Sequence, residues 1–119
     1  MRRSYIGEWA RQGLEGAPLA VIDFETTGLD TSSCHAVSVA VVHIDLGQSN
    51  AELAYSQMID PCVPIPQVTT DIHGIADGDV SGCPTFQEQL PDLLEALDGR
   101  LLAAFNLPYD WSMLNTELS

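Results

Sequence analysis

Short apolar runs alternate along the chain with polar, glycine-containing breaks. Runs of this length that are rich in valine, isoleucine and leucine are typical of buried strands. The second and third runs are joined by the turn-like residues 46–50, and the link between the first two is also short, which predicts an antiparallel meander. A fourth run follows later in the chain. The predicted strands are residues 19–25, 36–44, 52–59 and 101–105.

One further segment has the spacing of an amphipathic helix. It opens at Pro84-Thr85, continues to about Leu97, and is terminated by Gly99. Between the third strand and this helix, residues 60–83 contain several prolines and glycines and predict a long loop, which in a small domain is often functional. Core packing fully explains the apolar stripe of the helix, which consists of Phe86, Leu90, Leu93, Leu94 and Leu97.

The first predicted strand carries two acids, Asp23 and Glu25, in an otherwise apolar run. Side chains two residues apart on a strand share one face, so both carboxylates point the same way. On a buried strand they would cost several kcal/mol unless a cation meets them, and a divalent metal ion is the usual one. The alternative is an edge strand with a solvated face, which Val21, Ile22 and Phe24 do not favour.

A second acidic element follows the fourth predicted strand. Pro108 suits the first turn of a helix, which places Asp110 in that turn. An acid at a helix N-terminus is by itself ordinary, because the helix dipole favours it. Asp110 gains interest only together with Asp23 and Glu25.

Three segments of the chain resemble motifs of the DnaQ-like 3′–5′ exonucleases, the DEDD nucleases of the ribonuclease H-like fold. Residues 23–28, Asp-Phe-Glu-Thr-Thr-Gly, resemble the first motif of that family. Residues 72–75, Ile-His-Gly-Ile, resemble a loop of the family, and residues 105–110 resemble its second motif. The resemblance covers about residues 19–118.

This resemblance implies a three-layer α/β fold of the ribonuclease H-like type, with a mixed sheet made of an antiparallel meander and a parallel strand. It divides the chain into an N-terminal extension, residues 1–18, and a partial exonuclease domain, residues 19–119, with only the first and second motifs. The chain ends at Ser119, before the histidine and aspartate of the family's third motif.

The activity implied is hydrolysis of phosphodiester bonds at the 3′ ends of single-stranded DNA or RNA, with two Mg²⁺ or Mn²⁺ ions. By analogy with the family, Asp23 of this chain would bridge both ions, Glu25 would bind the ion that activates water, and Asp110 would hold the second ion. For Thr26 and Thr27 a turn-capping role stays open, and Asn106 could bond only within its own loop. The terminal nucleotide is expected at Thr26, Thr27, His73 and Asn106.

Some positions depart from the family pattern. Phe105 stands where the family usually has histidine, and residues 36–40 lack the glutamate that its second strand often carries. With no third motif, we expect the strand at residues 101–105 to form an exposed edge, so that the chain self-associates there, is completed by a partner chain, or is marginally stable. A catalytically dead remnant or binding module is therefore the alternative function. A phosphatase of the Asp-x-Asp type fits the motif poorly, because Glu25 replaces its second aspartate.

The charge of the chain limits how it could bind nucleic acid. Its 119 residues contain 17 acids and only 4 basic residues, all arginines, which gives a net charge of −13. Nucleic-acid-binding proteins normally carry a basic patch, so tight non-specific binding to phosphates is not expected. The excess of acidic over basic residues predicts weak, salt-sensitive binding of nucleic acid that depends on a metal ion.

The cysteines and histidines outside the motifs predict no further site. Three separated cysteines without a Cys-x-x-Cys spacing support neither a disulfide framework nor a zinc site, and a reduced, cytoplasmic protein is the expectation. His35 and His43 are interpreted as ordinary surface or strand-end residues. No signal peptide or membrane-spanning stretch is recognised in the sequence.

Overall fold

The computed structural model describes residues 17–28, 34–45, 51–104, 113, 116 and 117. These residues form a four-stranded sheet in the order β3-β2-β1-β4, accompanied by three helices. In chain order the elements are β1 (Pro18–Thr26), β2 (Ala36–Asp45), β3 (Ala51–Met58), α1 (Gln67–His73), α2 (Asp77–Val80), α3 (Phe86–Leu97) and β4 (Leu101–Ala103). Met113, Thr116 and Glu117 are helical.

The predicted mixed sheet is confirmed. β1 pairs antiparallel with β2, and β2 pairs antiparallel with β3, which is the meander, whereas β4 pairs parallel with β1. The fourth strand is shorter than predicted and is half-buried instead of buried. It lies at one edge of the described sheet, and self-association through that edge stays a prediction.

One face of β1 forms the main core. Ala20, Ile22 and Phe24 alternate along the strand and are almost completely buried. Helix α3 covers this face, and the predicted start of that helix is confirmed, because the Thr85 hydroxyl accepts a hydrogen bond from the Glu88 backbone N–H while the Glu88 carboxylate accepts one from Thr85 N–H. The buried core consists of Ala20, Ile22, Phe24, Cys34, Ala36, Val39, Val41, Ile59, Phe86, Leu93 and Met113.

The inner face of α3 differs from the predicted stripe at two positions. Leu94 is 49% exposed, so core packing does not explain it. Gln89, by contrast, is 2% exposed and was not expected inside. Both polar atoms of its side-chain amide are hydrogen-bonded there. The oxygen accepts from the Tyr55 hydroxyl at 2.7 Å and the nitrogen donates to the Phe86 carbonyl at 3.0 Å.

The prediction of a continuous loop over residues 60–83 is wrong, because this segment contains α1 and α2. Both helices are too short for a clear helical period, being 7 and 4 residues long. A second, smaller core holds the segment on the sheet, with Val37, Ile65 and Val80 buried together. Val37 is the extra residue of a β-bulge in β2, since Glu25 pairs with Ser38 and the next residue of β1 pairs with Ala36.

Parts of the chain on which predictions fall are outside the described residues. They include residues 1–16 of the predicted N-terminal extension and residues 105–112, which contain the whole segment that resembles the second motif. Among the helices that are described, none is both long and apolar enough to cross a membrane.

Candidate active site

The two acids of the first motif lie on the face of β1 opposite the main core. Asp23 is exposed and Glu25 is partly buried, and they lie across from Ala40 and Ser38 of β2. The expectation of buried carboxylates is therefore wrong for Asp23. The edge-strand alternative is also wrong, because β1 has β2 on one side and β4 on the other. Val21 lies on the same face and is apolar, so the sequence pattern did not indicate that this central strand is open on one side.

The turn after β1 is held by the backbone that leads into β2. The Thr27 N–H donates to the His35 carbonyl at 2.9 Å, and the His35 N–H donates to the Thr27 hydroxyl oxygen at 3.0 Å. The Thr26 hydroxyl donates to the Gly28 carbonyl and accepts from the Gly28 N–H. Both threonine hydroxyls thus act within the turn, as in the turn-capping alternative. This turn fixes the end of the strand immediately after Glu25.

His73 connects the Ile-His-Gly-Ile segment to the same turn. Its Nδ1 accepts a hydrogen bond from the Ile75 N–H at 3.1 Å, so this nitrogen carries no proton. The proton of the neutral ring is therefore on Nε2, which lies 3.0 Å from the Thr26 carbonyl and donates to it. Both ring nitrogens are engaged with backbone groups, so the histidine joins the end of α1 to the end of β1.

The end of α1 is shaped to present this histidine. Gly74 has φ +79°, the left-handed conformation that favours glycine at a helix C-terminus, and its N–H donates to the Thr70 carbonyl at 2.7 Å. The Thr70 hydroxyl donates to the Ile75 carbonyl at 2.8 Å. The chain consequently turns back under His73 and directs the ring toward Thr26.

The residue types fit the ion that the sequence predicts. Mg²⁺ and Mn²⁺ prefer carboxylate oxygens, and Asp23 and Glu25 supply them on one open face. Among the described residues neither acid forms an ion pair, and no three His, Cys, Asp or Glu side chains in that part of the chain are grouped to hold a metal ion. Asp110 and Asn106, predicted for the same site, lie outside the described residues.

Sequence reasoning missed one acid near this turn. Glu117, in the helical segment after the second motif, accepts a hydrogen bond from the Ala36 N–H at 3.0 Å through its Oε1. The sequence did contain an indication of this contact, because Met113 and Glu117 are four residues apart and would share one face of a helix. That spacing alone could not identify the strand that they contact.

The two other histidines are in ordinary positions. His43, near the end of β2, has its Nε2 2.7 Å from the Ala96 carbonyl of α3. His35 precedes β2 and has a side chain that is 45% exposed, with Nδ1 3.5 Å from Glu117. Neither lies on the face that carries Asp23.

Positive charge is scarce around the site. Arg100 is the only basic residue of the described chain other than histidine, and it lies at the start of β4, at the opposite end of the sheet from Thr26. It donates to the Leu19 carbonyl at 3.0 Å and lies 3.3 Å from the Asp45 carboxylate. The described surface therefore offers no free cationic side chain for a phosphate.

Asp23 and Glu25, on one face of a central strand of this mixed sheet, are oxygen ligands of the kind that divalent cations prefer. The family profile described as the RNase T exonuclease family matches residues 20–119. The chain belongs to this family, which is that of the DnaQ-like 3′–5′ exonucleases, and is homologous to DNA polymerase III epsilon-type proteins.

Curated relatives show how much of a longer protein the chain corresponds to. A DNA polymerase III subunit epsilon-like protein of Rhodobacter capsulatus is 32% identical over 109 residues, which are 91% of this chain and 16% of that protein. A PolC-type DNA polymerase III of Streptococcus thermophilus is 30% identical over 104 residues, 87% of this chain and 7% of that protein. The chain thus spans a small fraction of these relatives.

Solved structures agree with the fold. Exonuclease X in complex with 5′-overhanging duplex DNA is 26% identical and superimposes with a TM-score of 0.66, covering 80% of this chain and 52% of that one. Exonuclease I from Methylocaldum szegediense reaches a TM-score of 0.72 at 19% identity, covering 86% of this chain and 23% of that one. The α/β fold with a mixed sheet is that of ribonuclease H-like exonucleases.

Proposed function

We propose that this chain acts as a 3′–5′ exonuclease in which Asp23 and Glu25 hold Mg²⁺ or Mn²⁺ at the 3′ end of a DNA strand. The observation that carries the proposal is the placement of both acids on the open face of a central strand, directly before a turn that is bonded from two sides. Asp23 is exposed, Glu25 is only partly buried, and neither belongs to a core cluster, which favours a role in chemistry.

Each residue of the site has a proposed task. Asp23 and Glu25 would supply the oxygen ligands, and Asp110, from the second motif, would add a third. When bound, the ions would activate the attacking water and stabilise the leaving 3′ oxygen. The backbone of the Thr26–Gly28 turn, held by His73, would lie beside the terminal nucleotide, which Thr26, Thr27, His73 and Asn106 are proposed to contact.

The charge of the domain supports this dependence on metal. With no free cationic side chain on the described surface, bound cations would provide the attraction for the scissile phosphate. We choose DNA over RNA as the first substrate because Exonuclease X, the 26% identical structure, was solved with DNA.

A catalytically inactive binding module is the second candidate. Phe105 stands at the position where the resemblance calls for histidine, and the scarcity of basic residues disfavours tight binding of nucleic acid. On this alternative the open face of β1 would bind a metal ion or a protein without cleaving a phosphodiester bond.

Digestion of a 5′-labelled oligonucleotide tests the proposal. The chain is incubated with Mn²⁺ and either a single strand or a duplex with a 5′ overhang, beside Asp23→Asn and Glu25→Gln. We expect stepwise shortening from the 3′ end that both substitutions abolish. Glu52→Gln is the matched control, since it makes the same change on an exposed acid of β3, and it should cut like the unmodified chain.

The other outcomes are equally informative. Shortening that persists in Asp23→Asn would contradict the assignment of the site. A folded chain that binds Mn²⁺ at Asp23 without cutting either substrate would favour the binding module. Cleavage of a phosphomonoester but not of the oligonucleotide would instead indicate a phosphatase.

A further inference from the structure

A buried acid beyond the second motif contacts the start of β2. The side chain of Glu117 is only 9% exposed, which is unusual for a glutamate. Its Oε1 accepts a hydrogen bond from the Ala36 N–H at 3.0 Å and lies 3.5 Å from Nδ1 of His35. The carboxylate thus takes up a backbone donor at the first residue of the strand.

The backbone that Glu117 contacts is the one that holds the first-motif turn. His35, immediately before Ala36, exchanges two hydrogen bonds with Thr27, one from each N–H. Thr27 follows Glu25 by two residues. A single peptide unit therefore separates the carboxylate of Glu117 from the turn that fixes the end of β1.

A second contact from the same helical segment reaches a side chain just before β2. Met113 is fully buried, and its Sδ lies 3.4 Å from the Sγ of Cys34. Met113 and Glu117, four residues apart, share a helix face that packs on residues 34–36. In the sequence this segment follows Asp110, the proposed third ligand, by three to seven residues. Asp110 itself lies outside the described residues.

We propose that Glu117 is a positioning residue that couples the helical residues Met113 and Glu117 to the turn after Glu25. Its hydrogen bond to Ala36 holds the peptide unit whose His35 carbonyl accepts from the Thr27 N–H, so that the end of β1, with Glu25 two residues before Thr27, keeps one geometry. Glu117 is not a metal ligand in this proposal. The inference rests on the proposed function only in that Glu25 is taken to bind metal.

Two substitutions separate the hydrogen bond from the bulk of the side chain. Glu117→Gln keeps an oxygen that can accept from the Ala36 N–H, whereas Glu117→Leu removes the acceptor at similar volume. For the full chain, Mn²⁺ affinity is measured by calorimetry, and amide hydrogen exchange of Ala36 and Thr27 by NMR. Thermal unfolding is recorded in parallel.

We expect Glu117→Leu to weaken Mn²⁺ binding by about tenfold, as is typical when a group that orients metal ligands is lost. Exchange at Ala36 and Thr27 should accelerate in this variant, while Glu117→Gln should keep both properties near those of the unmodified chain. If Glu117→Leu does not fold, Glu117→Asp replaces it, because the shorter side chain withdraws the carboxylate and the same losses are expected.

Several results would overturn the proposal. They are an unchanged Mn²⁺ affinity in Glu117→Leu, unchanged exchange at Thr27, or equal losses in Glu117→Gln. Failure of the proposed function has a different signature, in which the unmodified chain binds Mn²⁺ no better than Asp23→Ala. The coupling is then decided by exchange alone: acceleration at Thr27 in Glu117→Leu supports it and unchanged exchange contradicts it.

Discussion

The two faces of β1 belong to the same nine residues and serve different purposes. Ile22 and Phe24 point into the main core beneath α3, where the packing determines the residue type. Asp23 and Glu25 point to the other side, where the strand is open enough to leave Asp23 exposed. The difference shows that stability and chemistry are separated here by a single step along the strand, because side chains alternate.

The largest effect on stability is expected from the core face. Phe24→Ala should lower the free energy of unfolding by about 3–5 kcal/mol, since it removes a buried aromatic ring and leaves a cavity. Val21→Ala, a truncation on the open face, should cost far less. Urea denaturation of both variants measures the contrast, and equal losses would mean that both faces of β1 are packed alike.

The polar contact inside the core is expected to have the next largest effect. Tyr55→Phe removes the hydroxyl that donates to Gln89, and an unsatisfied buried amide oxygen costs about 1–3 kcal/mol. A variant that also carries Gln89→Leu should recover part of that loss. If the single variant were as stable as the unmodified chain, solvent would be reaching Gln89.

The same tyrosine predicts a dependence on alkaline pH. Burial raises the pKa of Tyr55 above its ordinary value of 10.0, and the charge of Asp92 adds to this. Because folded Tyr55 keeps its proton to a higher pH than unfolded Tyr55, it stabilises the folded state fully below about pH 10. This stabilisation is lost as the pH rises through the pKa of Tyr55 in the folded state. Unfolding followed from pH 8 to 11 should show this alkaline loss, and Tyr55→Phe should show less of it.

On the side of the open face, the C-terminus of α1 is expected to have a smaller effect. Gly74→Ala should cost about 1–2 kcal/mol, because φ +79° strains any residue with a β-carbon. Apart from the adjacent residues, no heavy atom of the described part of the chain lies within 4 Å of the added carbon, so the cost is one of backbone conformation. Gly78→Ala in α2 is the matched control, with equal space and no positive φ, and should be neutral or slightly stabilising.

The smallest effect on stability is expected at the proposed ligands. Asp23→Asn should change the free energy of unfolding by less than about 0.5 kcal/mol, as for other exposed residues without packing contacts. A loss comparable to that of Phe24→Ala would contradict the separation of the two faces. Thermal and urea unfolding without metal give this value directly.

The sequence predicted those elements that are determined by local pattern and packing. The meander followed from short links between valine-rich runs, and α3 followed from its opening at Pro84-Thr85 and its apolar stripe. Leu94 was predicted to be inside and Gln89 was not. Helical periodicity places apolar residues toward the core, and it does not show where hydrogen-bond partners allow a polar residue to be buried. Helix α1 was missed because seven residues next to two prolines give no readable period.

For the site, the motif placed Asp23 and Glu25 on one face, and the register of β1 agrees with this placement. The sequence could not indicate how the turn after them is held, since those bonds join residues far apart in the chain. His73 reaches Thr26 across 47 positions, and Glu117 reaches Ala36 across 81. The metal and nucleotide contacts assigned through the resemblance stay predictions.

The most direct test of the account is to locate bound Mn²⁺ in the ¹⁵N-labelled chain by the paramagnetic broadening of its backbone amides. A specific site on the open face of β1 predicts that substoichiometric Mn²⁺ broadens the amides around Asp23, Glu25 and Thr27 first and leaves β3 sharp, and that Glu25→Gln removes the effect while Glu52→Gln does not. Broadening spread evenly over the acidic surface, unchanged by Glu25→Gln, would contradict the assignment of these acids as a metal site.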